Sequence, residues 1–588
     1  MFLFDLFRSF LALQNPVGFG ASDFLLLALA VLLALWAVVW PRIEQRAARL
    51  AQHTRWCMGL LAAGVVLLRL VLLPHHPAPV PDVYDEFSHL LVADTLRHSR
   101  LANPPHALAQ FFETQFVLQQ PAYSSIYPLG QGLALAIGWT LFGHPWAGVL
   151  LATAIFCALC YWMLRAWTTP GWALAGGALA VVEFGPLCYW MNSYWGGAAA
   201  AAAGCLIWGA MARLFGQNQE EVRRRNAALL GIGLGLHLLI RPYETIFVGL
   251  ALLLFLVPRL RLSAVSRAGL SFLRLAPFAA LPVLLAGGLM LAQDKQITGS
   301  WTTLPYALSQ YQYGVPAALT FQKNPVPHRE LNPQQALNYR MQVSFRDSGP
   351  ETLKTYLERL EYRVRFYRFF FLAPLYLALP AFWFSLRDYR FLWVALTLAL
   401  FALGTNFFPT FEAHYLAGVA CLFVLVSVTG LQRLSRVSPQ AAGLILLLCF
   451  AQFLFWYMLH VFDSQNFSLA MRQAETWDGL NHRNPAARIE VNRELASIPG
   501  KLLVFVRYYP QHPFQQEWVY NSADIDGSRV VWARDLGPAE NEKLRQYYGY
   551  RSVWLLEPDF RPPRLTPYAP APDTAVEPVQ VTPFEEVK

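Results

Sequence analysis

Residues 57–73 read CMGLLAAGVVLLRLVLL, and residues 81–90 read PDVYDEFSHL. The first run is apolar and long enough to cross a bilayer. The second places Asp82, Asp85, Glu86 and His89 within a few positions of one another. A cluster of carboxylates just past an apolar span belongs at a membrane–water boundary. The rest of the chain then reads as a membrane scaffold that holds this cluster there.

Composition agrees with that reading. The chain has 588 residues, of which 55% are hydrophobic and 14% charged, whereas soluble domains carry about 25% charged residues. Apolar runs fill the chain as far as Val461, and the residues beyond it have ordinary soluble composition. The fold class expected is a mostly α, polytopic helical membrane protein with about 12–13 membrane stretches and a small C-terminal α/β domain. The formal charge of +9 does not point to nucleic acid, because many arginines sit in short loops between apolar runs, where topology explains them. The seven cysteines all lie in apolar runs, so no disulfide framework is implied. Cys157 and Cys160 form a C-x-x-C inside such a run, without a strand pattern, and read as packing rather than redox chemistry.

The division expected is an interfacial N-terminal segment (1–22), a transmembrane domain (23–461), an α/β domain (462–557) and a Pro-rich disordered tail (558–588). Phe24–Trp40 reads as a first span without a cleavage site after it, hence an anchor. Arg42, Arg46, Arg49 and Arg55 mark a cytoplasmic loop. The span at Cys57–Leu73 then places a loop at 75–127 outside. Later basic loops (Arg213 with Arg223–Arg225; Arg259 to Arg274; Arg387 and Arg390; Arg433 and Arg436) read as cytoplasmic too. They put the turns around Asn192 and Arg241, a long segment at 293–368, the turn at Glu412–Tyr415 and the C-terminal domain outside. Both chain ends read as outside, which needs an even number of crossings, yet about thirteen apolar stretches are counted. The excess lies between Tyr127 and Trp190. Either the run at 128–143 or the one at Trp172–Trp190 is expected to be re-entrant or broken.

Several polar groups stand out against this apolar background. If a helix begins near Asp85, His89 lies one turn on and on the same side, while Glu86 points about 100° away. Three carboxylates are more than a helix N-terminus needs, although capping explains one or two. A divalent cation held by Asp82 and Asp85 is the metal alternative; no other cofactor is implied. Arg241 ends an apolar run and needs an anionic partner, either Glu244 or a ligand phosphate. Tyr243 stands beside it. His414 begins another span on the same side, and reads as a packed group or a phosphate-side one. Asn192, Tyr194 and Trp195, in a glycine-rich turn, could bind a sugar or anchor at the interface. The run Tyr362–Arg368 reads as an anchor to anionic headgroups or a contact for a lipid carrier's phosphate.

The layout resembles the GT-C superfamily of polytopic glycosyltransferases, which use polyprenyl-phosphate-linked sugars. The resemblance rests on Asp85-Glu86 in the first large loop with Leu90–Leu96 after it, on Tyr127-Pro128-Leu129-Gly130 entering a membrane run, and on the Phe142-Gly143 turn. Gly231–Arg241 and a C-terminal domain after a final span also fit. Protein O-mannosyltransferases and the lipid A aminoarabinose transferase are similar in layout. The usual paired prolines after the loop are replaced here by Tyr127-Pro128-Leu129.

The resemblance implies that Asp85, with Glu86 beside it, is the acidic pair at the reaction centre. It also implies that Arg241 and His414 lie on the phosphate side, with Asn192 and Tyr243 as further substrate-binding candidates. The function expected is transfer of a sugar from a polyprenyl-phosphate donor to a protein, lipid or glycan acceptor, on the extracytoplasmic face of the plasma membrane, with inversion. The alternative is a transporter or flippase for a lipid-linked glycan, which would show internal repeats and midplane charges. Membrane lipids are the other partners expected.

Overall fold

The computed structural model describes residues 21–39, 41–216, 219–263, 267–344, 351–462, 485–510, 512–513 and 516–569. The N-terminal interfacial segment, except its last residues, and the tail from 570 lie outside the described residues. The chain is a polytopic helical membrane protein with a small α/β domain at its C-terminal end. Among the described residues six helices are long and apolar enough to cross a membrane: Thr54–Val71, Trp146–Leu164, Gly197–Leu214, Arg274–Thr298, Ala413–Ser435 and Pro439–Val461. Five shorter apolar helices accompany them: Phe24–Trp36, Leu129–Phe142, Pro170–Phe184, Pro242–Phe255 and Tyr389–Thr405. Close approach of small residues packs the bundle. A Cβ added at Gly204 would lie 2.1 Å from the Gly418 carbonyl oxygen, so the helix Gly197–Gly216 can meet the 413–435 segment there only with glycine.

Between Tyr127 and Trp190 the two stretches suspected of not crossing are both short helices. Leu129–Phe142 has 14 residues and Pro170–Phe184 has 15. At a rise of about 1.5 Å per residue each is about 21–23 Å long, against a hydrocarbon core of about 30 Å. The apolar stretch that begins near Phe370 is not one helix. It is a series of short turns, Arg365–Phe370, Ala373–Leu377, Leu379–Phe382 and Trp383–Ser385. Pro374 and Pro380 remove the N–H groups a continuous helix would need there. Broken backbone is tolerated at such depth where protein surrounds it. Phe369, Phe370, Phe371, Leu372 and Leu375 are all buried.

The C-terminal domain has the order Ala486–Ser497 (helix), Leu502–Val506 (strand), Val530–Arg534 (strand), Pro538–Tyr547 (helix), Ser552–Glu557 (strand) and Arg564–Pro567 (strand). The strand Leu502–Val506 is central and parallel to both Val530–Arg534 and Ser552–Glu557. Arg564–Pro567 pairs antiparallel at the edge. The sheet therefore runs past 557, into residues expected to begin the disordered tail. The central strand is buried on both faces, as a parallel strand must be. Leu502, Val504 and Val506 pack towards Val491 and Leu495 of the first helix. Leu503 and Phe505 point the other way and share a core with Leu544, Tyr548 and also Leu91, Phe111 and Phe112 of the 75–127 loop. One face of the domain is thus completed by the acidic loop, which fixes the domain over it.

Candidate active site

The acidic stretch forms the helix Tyr84–Arg97. Glu86 is buried and its two oxygens accept three backbone N–H groups. Oε2 takes Asp82 at 2.9 Å and Val83 at 3.3 Å, and Oε1 takes Tyr194 at 3.0 Å. Glu86 therefore closes the helix N-terminus on itself and ties it to the turn at 192–197. Burial raises its pKa, against the lowering effect of those N–H groups. Glu86→Gln keeps the shape but turns an amide NH₂ towards backbone donors. Leaving buried N–H groups unpaired costs about 1–3 kcal/mol. The variant is expected to unfold at lower temperature, while the folded fraction keeps most of its activity. Thermal unfolding followed in parallel with turnover checks this.

Asp85 is half-buried one position earlier. The Tyr127 hydroxyl donates to its Oδ1. Tyr127 is held at both backbone ends: its N–H donates to Ser125 Oγ at 3.0 Å, and its carbonyl accepts from Gln293 Nε2 at 3.1 Å. Ser125 Oγ lies 2.7 Å from Ser88 Oγ on the acidic helix, and Ser88 Oγ lies 2.7 Å from the Phe116 carbonyl. The Tyr127 ring stacks on His89, with centroids 4.3 Å apart. Burial, and then the Asp85 charge, push the Tyr127 phenol up, so it stays a donor. His89 is pushed down to about 3, first by burial and then by the Arg241 cation. It is a neutral ring throughout the neutral range, stacked on the Tyr127 phenol and within the field of the arginine.

Arg241 follows the helix Glu220–Ile240 and precedes Pro242. Its backbone leaves the helical conformation there, with φ of -138° and ψ of 72°. One guanidinium nitrogen donates to the Trp195 carbonyl at 3.2 Å. Its Nε is buried and has no hydrogen-bond partner among the described residues. The guanidinium lies 5.6 Å from the centre of the Tyr415 ring. Tyr306 completes this side: burial, then Tyr415, Asp85 and Glu244, raise its phenol. Asp85, Tyr127, His89, Arg241, Tyr306 and Tyr415 thus come from five separate parts of the chain and lie within electrostatic reach of one another. Above them sits Tyr520 of the C-terminal domain, stacked on Phe87 at 4.4 Å; burial and Glu517 raise its phenol most, with Asp85 among the further causes.

The other candidates have structural partners. Asn192 Oδ1 accepts from Arg69 Nε at 2.9 Å, and its Nδ2 donates to the Pro186 and Cys188 carbonyls, both at 2.9 Å. Arg69 lies inside an apolar span and is fully buried, so it needs such acceptors; His76 and Pro77 carbonyls supply two more. Asn192 is thus engaged on both ends of its amide by protein groups. The Tyr243 hydroxyl donates to the Gly404 carbonyl at 2.9 Å, joining two helices. His414 is buried, and its Nδ1 lies 3.1 Å from the Tyr189 hydroxyl. Gly196 in the adjoining turn has φ of 91° and leaves no room for a Cβ beside Gln131, so the turn that presents Trp195 depends on it. Among the described residues no group of three His, Cys, Asp or Glu side chains could hold a metal ion.

Tyr127 was visible in sequence only as the residue that opens an apolar run. Its contact with Asp85 makes it a positioning residue. Tyr127→Phe removes a donor to the carboxylate, which favours protonation of Asp85. The acidic limb of the pH–rate profile is expected to move to higher pH, with the unfolding temperature nearly unchanged. An unmoved limb in a Tyr127→Phe enzyme would show that the contact does not tune the carboxylate.

No protein-family model matches the chain, and no curated protein matches it. Among solved structures it is similar to ArnT from Cupriavidus metallidurans in the apo state, at 12% identity and a TM-score of 0.47 over 85% of this chain and 92% of that one. The same protein bound to undecaprenyl phosphate gives 13% identity and a TM-score of 0.48 over 86% and 93%. The Archaeoglobus fulgidus oligosaccharyltransferase tethered to an acceptor peptide gives 12% identity and a TM-score of 0.38 over 77% and 62%.

Proposed function

We propose that this protein is a GT-C-type glycosyltransferase. It moves a sugar from a polyprenyl-phosphate-linked donor to an acceptor at the membrane surface, with inversion. One observation supports the reading: a positioned carboxylate, Asp85, and an arginine with an unsatisfied buried nitrogen, Arg241, both act on the same buried phenol, Tyr415. The acceptor hydroxyl attacks the anomeric carbon as the bond from that carbon to the phosphate oxygen breaks. Asp85 takes the hydroxyl proton. The phosphate leaves with the electron pair, and Arg241 stabilises its charge. Comparison of cell-envelope glycans with and without the gene tests the reading. Loss of one glycosylation and accumulation of its lipid-linked donor are expected; an unchanged glycan profile would overturn it.

The site and the C-terminal domain lie outside the plasma membrane on this reading, because Arg433 and Arg436 precede the last span. Reporter fusions at Pro510 and at Asn218 are expected to report opposite sides. The same side for both would reverse the placement of the site.

A further inference from the structure

We infer that the helix Leu353–Val364 lies in the plane of the membrane surface and buries a leucine stripe in lipid. At about 100° per residue its side chains sort into four sectors, of which Thr355 and Tyr362 form the one opposite the leucines. Leu353, Leu357, Leu360 and Val364 fall within an arc of about 60°. Lys354, Glu358 and Glu361 fall on the next sector. Tyr356, Arg359 and Arg363 form the third, and this one holds the helix to the protein. The Tyr356 hydroxyl donates to the Leu403 carbonyl at 2.7 Å. Arg359 Nε donates to the Asn406 carbonyl at 2.8 Å, and Arg363 to the Thr405 carbonyl at 2.5 Å and to that of Phe408.

Those carbonyls end the apolar helix Tyr389–Thr405. On that helix Leu392, Leu396 and Leu403 are the exposed leucines, and at positions i, i+4 and i+11 they form one stripe. A stripe of exposed leucines on a short apolar helix faces hydrocarbon. The Tyr356–Leu403 bond sets the second helix at the end of that stripe. Leu353 is 74% exposed and Leu357 50%, while the Lys354 and Glu358 side chains are 85% and 62% exposed on the neighbouring sector. A leucine sector beside the membrane belt, a charged sector next to it and a third bolted to the protein fit a helix at the headgroup boundary. The same anchor runs on through Phe408 to Glu412–Tyr415, so the helix lies on the membrane face that carries the candidate site. The inference does not depend on the reaction proposed for that site.

Single cysteines at 353, 354, 357 and 358 test it, one at a time, in the full chain. The seven native cysteines are buried, so a nitroxide reagent reaches the introduced one. Each variant is reconstituted into vesicles of phosphatidylethanolamine and phosphatidylglycerol. Collisions with oxygen, which concentrates in lipid, are compared with collisions with a water-soluble nickel chelate. The ratio is expected to be several-fold higher for Leu353→Cys and Leu357→Cys than for Lys354→Cys and Glu358→Cys. Equal ratios at all four sites would place the leucines in water and overturn the inference. Labels at 353 and 357 that are immobilised and reached by neither reagent would show a protein partner there, and would overturn it too.

Discussion

Asp85→Asn is expected to slow sugar transfer by about 10²–10⁴-fold, with donor binding and unfolding temperature close to wild type. An acceptor hydroxyl is a poor nucleophile until its proton is taken. The phosphate leaving group needs no strong acid, since a cation can hold its charge, so the base carries the larger share of the proton chemistry. That loss corresponds to about 3–5 kcal/mol of barrier. The fold should tolerate the change. Asparagine keeps an oxygen to accept from the Tyr127 hydroxyl, and the helix N-terminus is closed by Glu86, not by Asp85. The contrast between neighbours is the sharp part of the expectation. Asp85→Asn should cost turnover and little stability, and Glu86→Gln the reverse. Wild-type turnover in a purified Asp85→Asn enzyme would remove Asp85 from the reaction centre and make Asp82 the next carboxylate to test.

Arg241→Lys is expected to weaken donor binding about tenfold or more, and Arg241→Ala further, because hydrogen bonds to a charged partner are worth about 1.5–3 kcal/mol each. A guanidinium presents a planar fork to a phosphate, and an ammonium does not. The buried Nε without a partner is the donor that such a phosphate would take up. The competing role for Arg241 is to balance Glu244, which is buried one turn into the next helix. The two roles separate by measurement. If Arg241 only balances Glu244, Arg241→Ala should lower stability and leave binding of a polyprenyl-phosphate sugar unchanged. If it holds the donor, the dissociation constant rises and Glu244→Gln does not reproduce the rise.

The acidic stretch was legible because a chain this poor in charge rarely places carboxylates together, and helix geometry alone separated Asp85 from Glu86. The α/β alternation after residue 485 was legible too, since short β-branched runs alternate with charged helical ones. The phenols around Asp85 were not. Tyr127, Tyr306, Tyr415 and Tyr520 lie far apart in the chain, and tyrosine at a span end has an ordinary interfacial reading. The role of Asn192 was hidden for a related reason. Its partner Arg69 sits in the middle of an apolar run, and a buried arginine must find acceptors somewhere. The stretch after Phe370 is broken where Pro374 and Pro380 interrupt its apolar run.

The central claim is that Asp85 and Arg241 act together on a polyprenyl-phosphate sugar. It is tested most directly with the purified full-length protein in vesicles, supplied with lipid-linked sugars and acceptors extracted from the cells that make it. Release of free polyprenyl phosphate is measured against time. Steady release by the wild type is predicted, matched by sugar appearing on an acceptor, and nearly abolished by Asp85→Asn. Binding of the lipid-linked sugar without any release, or release at the same rate from Asp85→Asn, would contradict the account.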